Sequence, residues 1–153
     1  MQYSQFSYRF AEEVLNSRLA VKSEIDGLLQ SYAGKMGKGT SAHEELLDLF
    51  AQKGWEKGHR VCSESSLEID LFKERIAIEV ELSHSMSLFK DFLKFQMGFN
   101  ADEIDVGIIV THHRESAKRL FGYEVANIEK ARRELGSLRL VISVPIWVIG
   151  LIG

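Results

Sequence analysis

The chain has 153 residues, 45% of them hydrophobic, and a formal net charge of −3 at pH 7. Such a composition suits one domain over residues 1–153 with a real apolar core, and excludes a disordered chain. The single cysteine, Cys62, excludes an internal disulfide framework and Cys-rich zinc sites, and the acidic balance excludes a chain that binds nucleic acid by net charge alone.

The first ten residues are polar and aromatic, without the basic and apolar runs of a secretion signal. Phe10, Val14, Val21, Ile25, Leu28 and Tyr32 recur at helical spacing and predict one long helix from Tyr8 to Tyr32. Gly34, Gly37 and Gly39, alternating with Lys35 and Lys38, break that pattern; without Walker spacing they read as a connection rather than a phosphate cradle. Ser41, with Glu44 three residues on, predicts a capped helix through Ala51. Leu67–Phe72 and Ile76–Leu82 alternate with a period of two and predict strands joined at Lys73-Glu74. Ser85 starts a predicted helix through Gly98, with Phe89, Phe92, Leu93 and Gln96 on one side. Val106–Val110 reads as a buried strand, residues 115–135 as helix with a possible break at Gly122, and Val144–Leu151 as a closing strand. The last 14 residues carry no charge but include Pro145 and fall short of the ~20 needed to span a bilayer, so the chain is expected in the cytoplasm, off any membrane. The order α-α-β-β-α-β-α-β describes a mixed α/β fold.

The chemistry concentrates in the two central strands. Residues two apart on a strand share a face, roughly 6.5 Å apart. An even-numbered turn at Lys73-Glu74 pairs Phe72 with Arg75 and Glu68 with Glu79, so that Glu68, Asp70, Glu79 and Glu81 share one face. Leu67, Ile69, Leu71, Ile76, Ile78, Val80 and Leu82 then share the other. Like charges that close repel by about 4 kcal/mol per pair at ~4 Å and an effective dielectric near 20. Either this is an ordinary solvated strand face, or a hard dication relieves it. Two acids and a carbonyl suit Mg²⁺, which lowers the pKa of bound water and neutralises charge on a phosphate. Elsewhere, adjacent His112 and His113 cannot bind one metal from a strand, although a Thr-His-His-Arg loop touching phosphate is an option. His84 has no obvious catalytic partner, and Cys62 beside Val61 reads as a small buried hydrophobe. Basic residues gather locally at Lys53, Lys57, His59 and Arg60, and at Lys118 and Arg119. Ser83, His84, Lys90 and Lys94 follow the second acidic strand directly and are candidate phosphate contacts, since a helix N-terminus favours anions.

Asp70, eight residues, then Glu79-Val80-Glu81 resembles the D…(D/E)-x-K signature of the PD-(D/E)XK nucleases. Glu81 stands where most members carry lysine, which resembles the BglII and BamHI branch of the type II restriction endonucleases. Residues 11–16, Asp48–Trp55, Ile78–Ser83, Val106–Thr111 and 144–152 also resemble the BglII group, in order along the chain. The resemblance implies a restriction-endonuclease-like core and a metal-dependent endonuclease hydrolysing phosphodiesters in duplex DNA. It implies Asp70, Glu79 and the Val80 carbonyl as ligands of Mg²⁺, for which Mn²⁺ can substitute. Glu81 would orient or deprotonate the attacking water, and Glu44 or Glu45 would add an acid from the preceding helix. Two identical subunits would place one site on each strand of a double-stranded target. A structure-specific nuclease, or a non-catalytic DNA-binding or assembly subunit, are the alternatives. Ile69 replaces the proline that usually precedes the first acid.

Overall fold

A computed structural model describes residues 1–32, 40–122 and 124–153. The Gly34–Gly39 segment read above as a connection lies outside them. One six-stranded mixed sheet organises the chain. Strand β1 is Gln2–Tyr8, β2 is Glu56–Arg60, β3 is Glu68–Lys73, β4 is Ile76–Val80, β5 is Val106–His112 and β6 is Ile146–Ile152. Their order across the sheet is β1-β6-β5-β4-β3-β2. The β4–β5 and β5–β6 pairs are parallel and the outer pairs antiparallel. The helices are α1 (Ala11–Asn16), α2 (Leu19–Ser31), α3 (Thr40–Ala51), α4 (Ser87–Asn100), α5 (Arg114–Phe121) and α6 (Ile128–Ser137).

Both faces of the central strands are covered, as parallel strands require. Ile76, Ile78, Val80, Ile108 and Trp147 pack against α1, α2 and α3 through Leu15, Ile25, Leu29 and Phe50. On the other face Ala77, Ile109 and Val148 pack against α4 and α6 through Leu88, Phe92, Phe95, Ala131 and Leu135. This α/β/α layering agrees with the mixed α/β expectation.

Several boundaries differ from the sequence reading. The polar N-terminus is a strand, because Gln2–Tyr8 pairs along its whole length with β6. The long first helix is two, broken at Ser17 and Arg18; Arg18 leaves helical geometry and pairs with Asp105, which outweighs local propensity. Phe10 is exposed rather than core. Ser41 lies inside α3, which starts at Thr40, and Ser85 caps nothing, because α4 starts at Ser87 without a side-chain cap. The buried face of α4 is Leu88, Asp91, Phe92, Lys94, Phe95 and Gly98, whereas Leu93 is exposed. The hairpin turn sits at Glu74-Arg75, one residue later than expected, with φ of 50° and 66°. Positive φ at both turn residues matches the twist of a two-residue hairpin but strains non-glycine residues. Arg75 is held there by Asp102 at 2.7 Å and Asp105 at 2.9 Å, and Arg18 donates to the Glu74 carbonyl at 2.6 Å.

Candidate functional site

The turn moves the register by two, giving Phe72↔Ala77 and Leu71↔Ile78, a register whose continuation would set Asp70 rather than Glu68 opposite Glu79. An even displacement preserves which side chains share a face. Pairing stops after Leu71, however. The Asp70 carboxylate fills the gap, its Oδ2 accepting the Val80 amide at 2.9 Å in place of a strand carbonyl. The strand turns there, and Ile69 packs with Phe92 and Phe95 on the α4 side, not beside Leu71. Glu68 is exposed and lies outside the acid cavity. The single acidic, solvated face expected from alternation therefore does not form: Glu79 is only 4% exposed, covered by α4.

What forms instead is a cavity of about 540 Å³ at the C-terminal end of β4, the end where open parallel sheets present their crevices. It is lined by His43 of α3, Asp70 of β3, Glu79 and Val80 of β4, the segment Glu81–His84, and Ser87, Lys90, Asp91 and Lys94 of α4. Asp70, Glu79, Val80 and Glu81 are thus brought together, and Ser83, His84 and Lys90 stand at the same cavity. Glu81 accepts from the Ser83 amide at 2.7 Å and the Ser83 hydroxyl at 2.6 Å, which fixes its carboxylate. The Glu81–Ser87 loop is tied down by Ala126 N–H to the Ser83 carbonyl and Ser85 N–H to the Glu124 carbonyl, both at 3.0 Å.

Glu44 and Glu45 are not brought in. Glu44 faces Lys57 at 3.4 Å, and Glu45 accepts from the Tyr32 hydroxyl at 3.2 Å. Helix α3 contributes His43 instead, its Nε2 3.2 Å from Asp70 Oδ2. Lys94 is not a surface lysine. It is 7% exposed, with its Nζ 2.6 Å from Glu79 Oε1, 3.4 Å from Asp91 Oδ1 and 3.1 Å from the Glu68 carbonyl. Its ammonium is turned into the acid cluster and not out toward solvent, where the phosphate contact was expected. Asp91, 4% exposed, keeps Oδ2 without a hydrogen-bond partner among the described residues.

Sequence reading missed His43 and Asp91. Asp91 carried a signal: it is three residues after Leu88 and four before Phe95, on the apolar stripe of its helix. His43 had none beyond lying one residue before Glu44. The Thr-His-His-Arg loop is no phosphate clamp at its first histidine: His112 is fully buried, its Nε2 3.1 Å from the Leu82 carbonyl. His113 instead caps α5, accepting from the Glu115 amide. Lys57 is engaged by Asp48 at 2.8 Å, and Cys62 is half-buried against the α4-side core.

The electrostatics follow from burial. Burial opposes ionisation of Asp70, but the hydrogen bonds from His43 and the Val80 amide and the charges of His43 and Lys94 outweigh it and hold the carboxyl below its ordinary range. Burial, then the charges of Asp91 and Asp70, push Glu79 well up despite Lys94. Burial likewise raises Asp91. Burial disfavours charge on Lys94, yet Glu79, Asp91 and Asp70 hold its ammonium above the ordinary lysine value. Contact with Asp70 similarly raises His43.

The donor set is all oxygen on the acid side, which fits a hard dication that keeps waters rather than zinc. Among the described residues no group of three His, Cys, Asp or Glu forms a ready-made metal cage. Magnesium typically takes one or two carboxylates plus water and phosphate, so the arrangement fits that ion.

This fold has a solved counterpart. The whole chain superposes, with a TM-score of 0.81 and 22% identity, on 79% of the chain in the crystal structure of restriction endonuclease BglII complexed with a DNA 16-mer. The fold is that of a restriction endonuclease. The family model for restriction endonuclease BglII/BglIII matches residues 3–151, and the chain belongs to that family. No curated protein matches the sequence. The chain is a DNA endonuclease of the BglII type. Among the described residues no helix is long and apolar enough to cross a membrane.

Proposed function

We propose that this endonuclease is Mg²⁺-dependent, with Mn²⁺ as a substitute, and that the cavity beyond β4 is its active site. One observation carries the reading: Asp70, Glu79 and Val80 of the central hairpin meet in one cavity with Glu81 and a buried, unpartnered Asp91 oxygen. Asp70, Glu79 and the Val80 carbonyl would hold the ion. When bound, the dication supplies Lewis acidity toward a phosphate and lowers the pKa of bound water. The chain's own residues do the rest. His43 and the Val80 amide orient Asp70 and keep it ionised. Glu81, anchored by Ser83, faces the space where a water would sit and accepts its proton. Lys90, exposed at the cavity mouth one turn into α4, approaches the phosphate backbone. The protein works on duplex DNA as a homodimer in the cytoplasm, one site per strand.

The test is incubation with mixed plasmid DNA, Mg²⁺ or chelator, and the variants Asp70→Asn and Glu79→Ala. Discrete fragments with Mg²⁺ from the parent protein, and none from either variant, support the reading. Cleavage in chelator, or full activity in either variant, overturns it. Thermal unfolding in chelator checks that the variants are folded.

A further inference from the structure

A charged lysine is costly to strip of water, and it is buried only when paired. Lys94 reaches the centre of the acid cluster from α4 with three partners: Glu79, Asp91 and the Glu68 carbonyl. Those partners come from α4, β4 and β3, so one ammonium ties together three of the elements that line the cavity. It touches Glu79, whose carboxylate the dication would also require, and it lines the cavity beside Asp70. Glu81 adds a further acid there. Without a cation, these carboxylates would repel one another in a poorly solvated place. The motif position two residues after Glu79 supplies no positive charge, since it is Glu81.

We propose that Lys94 is a built-in counter-cation of this site, which holds the acids assembled when no metal is bound and opposes the loading of the dication. This inference rests on the reading of Asp70 and Glu79 as metal ligands. The physics is competition for one charge deficit. The ammonium satisfies part of the demand that draws a metal in, and it repels the ion that arrives. Two consequences carry opposite signs. Removing the positive charge weakens the metal-free protein, because buried carboxylates lose their partner. The same change tightens dication binding, because the repulsion is gone and the carboxylates are free. A lysine that only braced the fold would show the first effect together with weaker metal binding, since a loosened site holds its ligands less well.

The experiment is calorimetric Mg²⁺ titration at pH 8 of the parent protein, Lys94→Met and Lys94→Arg, with thermal unfolding of each in chelator. Lys94→Met should bind Mg²⁺ roughly tenfold more tightly or better, as loss of a unit charge beside the site implies, and unfold at lower temperature in chelator. Lys94→Arg, which keeps the charge, should stay near the parent affinity. Equal or weaker binding by Lys94→Met overturns the proposal. If Lys94→Met does not fold, ¹⁵N resonances of the lysine ammonium groups in the parent protein decide. The Lys94 signal should be protected from exchange in chelator and perturbed by saturating Mg²⁺; an unperturbed signal overturns the proposal. Absence of any Mg²⁺ uptake by the parent protein would overturn the metal reading itself, an outcome separate from uptake that ignores Lys94.

Discussion

Gly107 lies on β5 directly beneath α4, and its replacement by alanine tests whether close helix–sheet contact positions the site. A Cβ at this position would lie 2.3 Å from Cδ2 and 2.5 Å from Cγ of Phe95, which is fully buried. The colliding atoms belong to an aromatic ring, not to the end of a flexible chain, so α4 itself must lift or tilt. Overpacking of this kind costs roughly 1–3 kcal/mol. Against it stands a gain of about 0.4–1 kcal/mol, and at most that, from restricting the unfolded chain. The net expectation is a loss of about 1–2 kcal/mol, or roughly 2–8 °C in Tm for a chain of this size. Lys94 precedes Phe95 and Asp91 lies one turn earlier, so the same movement carries both away from Glu79. Gly107→Ala should therefore also lower cleavage, although residue 107 is not among the residues lining the cavity. Scanning calorimetry in chelator reads the first effect and plasmid cleavage the second. Phe95→Leu, which clears the space, should recover part of both in the double variant, giving a favourable coupling of about 0.5 kcal/mol or more. A Tm within about 1 °C of the parent, or losses that simply add in the double variant, would refute the reasoning.

Two further outcomes are expected. Lys90→Ala should weaken binding to all duplexes alike and lower the slope of log affinity against log salt by about 0.9, the signature of one lost phosphate contact; an unchanged slope removes Lys90 from the interface. The metal-free protein should lose stability as pH rises. Glu79 and Asp91 have raised folded-state pKa values, so they bind more protons folded than unfolded, and their contribution fades from above their ordinary values of 4.5 and 3.8 upward. His43, also raised, acts in the same direction above 6.5, whereas Asp70 is lowered and removes stability only on the acid side of 3.8. Saturating Mg²⁺ should flatten or reverse this slope, because metal and protons compete for the same carboxylates. His112, lowered by burial, acts in the opposite direction below about 6.5, so the decisive window lies above it: a Tm in chelator that climbs between pH 7 and pH 9 would contradict the burial of these acids.

The parts of the molecule legible in sequence are those where local pattern and tertiary demand agree. Asp70 and Glu79 were singled out because a period of two and an even turn predict a shared face; the ladder itself ends at Leu71↔Ile78, and the two carboxylates meet in the cavity beyond it. Strands β1 and β2 were invisible for a different reason. Glu56–Arg60 contains no aliphatic side chain and Gln2–Tyr8 is half polar, because both are edge strands, where charge and polarity discourage pairing with other chains. The Ser17-Arg18 break and the Glu74-Arg75 turn carry neither glycine nor proline; both are set by Arg18, Arg75, Asp102 and Asp105 across long sequence separations. The site departs from pattern most of all. Alternation assigns charge to solvent, and on that rule Glu79 belonged outside and Lys94 on a phosphate. Each is instead buried by the other: the helix that supplies Lys94 is the one that covers Glu79, and neither charge would be tolerated there alone. Local rules fail at this point because the energy that permits burial resides in a pair separated by fifteen residues, Glu79 to Lys94, and no window on one strand or one helix contains both.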